Sequence, residues 1–242
     1  QSFTTNTSGL YYCRYSITAL FDEVMVITRH QMNDLRIIGL TGGIGMGKST
    51  VSAYLAKQYS LPILDADLLA RDAVAPHSPI LNTIVERYGP TLLNADDTLN
   101  RAKLGEIVFS LPSERLWLDQ QVHPYVRDRF ETHLADPAYK NLPIIVLAIP
   151  LLFEARMTDL VTEIWVVHCS PEQQLERLLE RSHQRSRQTE PPTPPLTPDQ
   201  AQARIKAQTN ISRKIALADV ILDNSGRKIE LFKAIDQHLQ PT

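Results

Sequence analysis

The chain predicts an α/β fold built on a doubly wound, five-stranded parallel sheet, with an inserted helical subdomain and a helical lid. Three observations carry that prediction. Five short apolar runs, Ile37–Leu40, Leu61–Leu64, Ile144–Ile149, Ile164–Val167 and Val220–Leu222, read as buried parallel strands with room for helical crossovers between them. The first run leads into a glycine-dense loop and then into a helix-like segment. Two intervening stretches, 68–142 and 170–217, are too long for simple crossovers and carry helical patterns of their own.

Taken in chain order, residues 1–33 are polar and aperiodic at first and lack the basic start and apolar centre of a secretory signal. Asp22 and Glu23 argue against an acid-poor transit peptide. These residues are expected to be an extension outside the core, with the folded protein beginning near Met32 and running over 34–240. After the first strand, Ser49–Ala56 reads as a helix; the second strand is followed by Asp65-Ala66-Asp67 and a helix over Leu68–Ala73. Within 68–142, Leu81, Ile84, Val85 and Tyr88 fall at i, i+3, i+4, i+7, and His123-Pro124 is expected to interrupt an apolar helix.

The stretch 170–217 begins at Ser170-Pro171-Glu172, an N-cap with proline at the first helical position. Pro191-Pro192-Thr193-Pro194-Pro195 cannot be helix interior and is expected to be extended or mobile. Thr197-Pro198-Asp199-Gln200 restarts a helix with capping-box spacing. Two helices joined by such a tip suggest a lid. The core is then left with 34–67, 143–169 and 218–240.

The loop after the first strand is the most informative segment. Residues 40–50 read Leu-Thr-Gly-Gly-Ile-Gly-Met-Gly-Lys-Ser-Thr, with a G-x-x-x-x-G-K-[ST] pattern from Gly42 to Ser49. Five of the nine glycines (Gly39, Gly42, Gly43, Gly45, Gly47) fall within nine residues. Glycine that dense suits a backbone whose N–H groups must converge closely on a ligand. Between a strand and a helix, Gly42, Gly43, Ile44, Gly45, Met46, Gly47, Lys48, Ser49 and Thr50 are expected to cradle the phosphates of a nucleotide. Lys48 would reach the outer phosphates and Ser49 would place its hydroxyl on Mg²⁺.

Bulk properties exclude several classes. A formal net charge of −2 argues against a nucleic-acid protein, and no apolar run approaches the length of a membrane span. Two cysteines, Cys13 and Cys169, make neither a metal spacing nor a disulfide framework, which fits a reducing cytoplasm. Small-molecule substrates and a monomer or weak homo-oligomer are the expectation.

Four groups of side chains are candidates for chemistry. Asp65 and Asp67 follow the second strand, where a carboxylate can accept the proton of an acceptor hydroxyl or cap the next helix. Asp67 is the expected base and Asp65 its support. Arg177, Arg181 and Arg185 lie four apart on one helical face, where guanidinium groups match phosphate oxygens. Arg177 and Arg181 are expected to face inward, and Arg185 to be solvated or part of a hinge. Arg71, one turn beyond Asp67, either binds an acidic acceptor or pairs with the aspartate. Isolated His123 is more often structural, and Glu154, after the third strand, either lines the pocket or caps.

Together these segments resemble the dephospho-coenzyme A kinase family. The resemblance rests on the loop 40–50, Asp65-Ala66-Asp67 with Ala70-Arg71, Tyr88-Gly89, Leu99-Asn100-Arg101, Val108-Phe109 and His123-Pro124. It continues through Pro150-Leu151-Leu152-Phe153-Glu154, Gln174-x-x-Arg177-x-x-x-Arg181, Arg204-x-x-x-Gln208, Ala218-Asp219 and Asn224-x-Gly226, and so spans about 35–240. It implies a P-loop kinase core, a helical coenzyme A-binding subdomain at about 68–142 and a lid at about 170–217. The implied reaction moves a phosphoryl group from MgATP to the ribose 3′-hydroxyl of dephospho-coenzyme A, the last step of coenzyme A synthesis. By motif, Asp67, Lys48, Arg177 and Arg181 would be catalytic, and Asp65, Arg71, His123 and Glu154 would sit at the acceptor. The proline-rich stretch Ser186–Thr197 is longer than the family pattern, and residues 1–33 have no counterpart in it.

Rival readings are weaker. Another small-acceptor kinase would lack the Asp-Ala-Asp and His-Pro signals. A GTP-binding switch needs a guanine-reading Asn/Thr-Lys-x-Asp after a strand, which the chain lacks. A catalytically dead module sits poorly with intact Lys48, Ser49 and Asp67.

Overall fold

The computed structural model describes residues 35–139, 142–188 and 194–239; the expectations for residues 1–33 and for Pro191-Pro192-Thr193 lie outside them. The sheet has five parallel strands: β1 (Arg36–Gly42), β2 (Ile63–Asp65), β3 (Ile144–Ala148), β4 (Glu163–His168) and β5 (Val220–Asp223). Their spatial order is β2-β3-β1-β4-β5. From β1 the chain moves outward to β2, returns with β3 beside β1, and then continues with β4 on the other side of β1. The path therefore reverses at β1, and the crevice beyond its C-terminal end is where such a sheet binds ligands.

Helix α1 (Lys48–Tyr59) follows β1 and buries Val51 and Leu55 against Ile38, Leu40, Val146 and Val167. Each side chain so buried contributes about 1.5–3 kcal/mol. The last helix (Lys228–Leu239) closes the same core with Leu231 and Ile235.

Between β2 and β3 the chain forms α2 (Ala66–Asp72), α3 (Pro79–Tyr88), a 3₁₀ turn (Pro90–Leu92), α4 (Arg101–Ser110) and α5 (Pro112–Ala135). Local chemistry sets their starts: Ser78 accepts from the Leu81 N–H at 3.1 Å, and Asn100 accepts from the Lys103 N–H at 3.1 Å. The predicted face of α3 holds, with Leu81 and Ile84 buried and Val85 and Tyr88 packed beside them. These helices share a second apolar cluster that includes Val74, Leu92, Leu99, Leu104 and Val108. One expectation is corrected: α5 continues through His123-Pro124 without interruption. Proline removes one helical hydrogen bond at a cost of about 3 kcal/mol. Packing on both sides of it, by Trp117, Leu118 and Val122 before and Val126 and Phe130 after, offsets that loss.

After β4 the chain forms an arm of two helices, α6 (Pro171–Gln188) and α7 (Pro198–Lys206), before the short α8 (Ile211–Ile215) leads to β5 and α9 (Lys228–Leu239). The predicted caps are present. Ser170 Oγ accepts from the Gln173 N–H at 3.3 Å, and Thr197 and Gln200 form a complete capping box. Among the described residues no helix is long and apolar enough to cross a membrane.

Candidate active site

The loop between β1 and α1 is shaped by glycines that no other residue can replace. Gly47 has φ 102° and Gly45 φ 79°, in the left-handed region that strains L side chains. A Cβ on Gly45 would lie 2.9 Å from the Gln174 carbonyl oxygen, and one on Gly47 would collide with the Asn224 amide. Gly47 is also the residue at which α1 starts, and it has no side chain to cap the helix. The first helical N–H groups are therefore left to an anion, which the positive end of the helix dipole also favours.

Side-chain contacts hold this loop. Asn224 Nδ2, after β5, donates to the Met46 carbonyl at 2.9 Å. Gln174 Nε2, in the first turn of α6, donates to the Ile44 carbonyl at 2.8 Å, while the Ile44 N–H donates to Gln208 Oε1 at 2.8 Å. The Gly43 N–H points at Met46 Sδ at 3.2 Å. Asn224, Gln174 and Gln208 were visible in the sequence only within the family resemblance, because isolated amides carry no pattern of their own.

A cavity of about 250 Å³ lies between the sheet and the helices that follow β2. Asp67 and Ala70 of α2, Arg101 of α4, Asp119 and His123 of α5 and Leu151 beyond β3 contribute to its wall. Asp67 and His123 are thus brought to one cavity. Arg101, whose role no local pattern disclosed, joins them. Burial, and then the positive charges of Arg71 and Arg185, pull the Arg101 pKa below its usual value. Arg204 is lowered likewise by burial and by Arg185. Arg71, Arg101 and Arg185, all exposed, and the half-buried Arg204 thus each lie within electrostatic reach of at least one other of the four, and positive charge gathered in this way attracts anions. Arg185, expected to be solvated or part of a hinge, is exposed but belongs to this positive cluster.

A second cavity of about 260 Å³ abuts the first, sharing Leu118, Asp119 and Leu151 with it. Its wall includes Ile44 of the glycine loop, Arg204 and Gln208. Burial pushes the Asp119 carboxyl up, against the opposing pull of His123 and Arg115.

The remaining predicted residues stand apart from the cavity wall. Asp65 caps α2, its Oδ1 accepting the Asp67 N–H at 2.8 Å, a structural role in place of one at the acceptor. Glu154 accepts the Thr209 N–H at 2.9 Å and pairs with buried Lys214 at 3.0 Å, so it ties β3 to the segment after the arm. Burial raises the Glu154 pKa, but the Thr209 N–H, its own backbone and Lys214 outweigh that and leave it lowered. Arg177 is half-buried and donates from Nη2 to the Asn224 carbonyl at 3.0 Å; its buried Nη1 has no hydrogen-bond partner. Arg181 and Arg71 are exposed on α6 and α2.

Comparison with known proteins agrees with this geometry. The dephospho-CoA kinase family model matches residues 36–230. A dephospho-CoA kinase of Trichormus variabilis is 54% identical over 201 residues, covering 83% of this chain and 95% of the relative. One from Synechocystis sp. is 52% identical over 196 residues, covering 81% and 90%. A crystal structure from Thermus thermophilus superposes with a TM-score of 0.66 at 30% identity, over 86% of this chain and all (100%) of that one. The dephospho-CoA kinase of Campylobacter jejuni shares the fold, with a TM-score of 0.60 at 23% identity over 85% of this chain and 96% of that one. A glycine loop at the sheet's switch point, the acidic and basic cavity beside it, and this extent of similarity place the chain in the dephospho-CoA kinase family.

Proposed function

We propose that the chain transfers the γ-phosphoryl group of MgATP to the ribose 3′-hydroxyl of dephospho-coenzyme A, giving coenzyme A and ADP, with Asp67 as the general base. The observation that carries this reading is the contiguity of the two cavities. One holds Asp67, Arg101 and His123, the other reaches Ile44 of the phosphate loop, and they share three wall residues.

In this reading the loop 42–50 binds the nucleotide phosphates through backbone N–H groups and the start of α1. Lys48 neutralises the outer phosphates. Ser49 would hold Mg²⁺ together with those phosphates; among the described residues no group of three or more His, Cys, Asp or Glu side chains forms a metal cage of its own. Mg²⁺, when bound, offsets charge on the transferring group. Asp67, on the cavity wall, takes the proton of the attacking hydroxyl. The positive cluster of Arg71, Arg101, Arg185 and Arg204 suits the phosphates of the acceptor. Residues 68–142 are the acceptor-binding subdomain and the arm 170–217 a lid, with Arg181 able to meet the phosphates on closure. Positioning and charge stabilisation supply the rate without a covalent intermediate.

The test measures phosphate transfer from MgATP to dephospho-coenzyme A, with adenosine, AMP and no-acceptor controls, in wild type and Asp67→Asn. The expected result is coenzyme A formation that falls about 10²–10⁴-fold in the variant with little change in KM. Activity that survives the substitution removes Asp67 from the mechanism. Turnover with adenosine or AMP alone overturns the acceptor.

A further inference from the structure

Three consecutive residues at the return root of the arm hold three different parts of the molecule. The Ala207 carbonyl accepts from Arg115 Nη1, on α5, at 3.0 Å. Gln208 Oε1 accepts the Ile44 N–H of the phosphate loop at 2.8 Å. The Thr209 N–H donates to Glu154 Oε1, beyond β3, at 2.9 Å. This segment cannot shift without remaking bonds to all three.

Ile44 is also held from the other root of the same arm, since its carbonyl accepts from Gln174 Nε2 at 2.8 Å. A phosphate loop binds its anion through backbone N–H groups. Here the N–H of Ile44 is occupied by an arm residue, so the conformation of the loop and the seating of the arm form one structural variable.

The acceptor side reaches the same segment through one face of α5. His123 Nε2 lies 3.7 Å from Asp119 Oδ1, and Arg115 Nε lies 3.9 Å from Asp119 Oδ2. Asp119 stands on the wall of both cavities. Contacts thus run from Asp119 and His123 through Arg115 and the Ala207 carbonyl to Gln208 and Ile44.

We infer that residues 207–209 couple the acceptor cavity to the phosphate loop, with Gln208 positioning Ile44 and Arg115 linking the segment to the acceptor side. Acceptor and nucleotide then bind with positive cooperativity. The inference rests on dephospho-coenzyme A being the acceptor. Spatial continuity alone does not establish coupling, whereas a measured, reciprocal coupling factor does.

The experiment is calorimetric titration of a non-hydrolysable ATP analogue with Mg²⁺, alone and with saturating dephospho-coenzyme A, and the reverse titration. In wild type each ligand tightens the other about five-fold or more, by the same factor in both directions. Arg115→Ala brings the factor to one, with a smaller loss of affinity for the analogue alone than Gln208→Leu gives. Arg115→Lys, which keeps a donor for the Ala207 carbonyl, restores it. Gln208→Leu weakens the analogue alone and also abolishes the factor. A factor of one in wild type, or a factor kept in both Arg115→Ala and Gln208→Leu, overturns the coupling alone. Failure of dephospho-coenzyme A to bind at all overturns the functional reading and the coupling with it.

Discussion

Lys214, with no solvent exposure, places Nζ 3.0 Å from Glu154 Oε1 and 3.0 Å from the Pro150 carbonyl oxygen. The Thr41 hydroxyl donates to the same carbonyl at 3.2 Å, at the end of β1. One ammonium thereby joins the end of β3 to α8, next to the segment that holds the phosphate loop.

Breaking this pair should be costly, because Glu154 is left with the Thr209 N–H alone and the Pro150 carbonyl loses a charged donor. Lys214→Met is expected to destabilise the protein by roughly 1.5–3 kcal/mol in denaturant unfolding. The double variant Lys214→Met with Glu154→Gln should recover much of that loss, since replacing both members of a buried pair is often nearly neutral. A double variant no more stable than the single one would show that the ammonium has other indispensable partners.

Acid should reveal the same network. The Glu154 pKa is lowered in the folded state, so its contribution is present above the unfolded value of about 4.3 and is lost as pH falls through the folded value. Wild type should lose stability below about pH 5 more steeply than Glu154→Gln. Urea midpoints of both proteins measured from pH 7 to pH 3 check this; parallel profiles would contradict it.

Glycine at 45 and 47 should be irreplaceable for a steric reason. Gly45→Ala meets the Gln174 carbonyl at 2.9 Å with φ 79°, and Gly47→Ala runs into the Asn224 amide with φ 102°. Strain of about 1–3 kcal/mol per site is expected. Both variants should fold yet bind MgATP at least about ten-fold more weakly, the larger loss at Gly47, where the obstacle is the amide that holds Met46. Titration with MgATP reads the affinity, and unfolding of the nucleotide-free protein reads the strain.

Arg101 should act on the acceptor and not on the nucleotide. It stands on the wall of the first cavity, whereas the phosphate loop reaches the second. A charge-assisted hydrogen bond is worth about 1.5–3 kcal/mol, so Arg101→Ala should raise KM for dephospho-coenzyme A about ten-fold or more. KM for ATP should change by less than about three-fold. Equal loss for both substrates would move Arg101 out of the acceptor cavity.

Much of the fold was legible in the chain because its signals are local. Buried parallel strands are unbroken apolar runs such as Ile144–Ala148, and helix starts such as Thr197 carry their own capping partners three residues on. The helix runs through His123-Pro124, where an interruption is expected from the lost hydrogen bond, because packing on either side of the proline offsets that local loss.

The phosphate loop, too, was legible in the sequence alone: Gly42, Gly43, Gly45 and Gly47 before Lys48 state their own backbone requirement. Tertiary structure alone decided which side chains meet. Asp65 and Asp67 are near neighbours of the same type, yet the first caps α2 and the second lines the cavity, since Asp65 ends β2 in extended conformation and Asp67 lies in the first turn of α2. Arg101 joins Asp67, and Gln208 reaches Ile44 across 164 positions of chain, through contacts that only the folded path creates. Periodicity and capping act within a few residues and can be read along the chain. An amide held by a distant N–H, or a guanidinium set among others, depends on packing, and no spacing in the sequence encodes it.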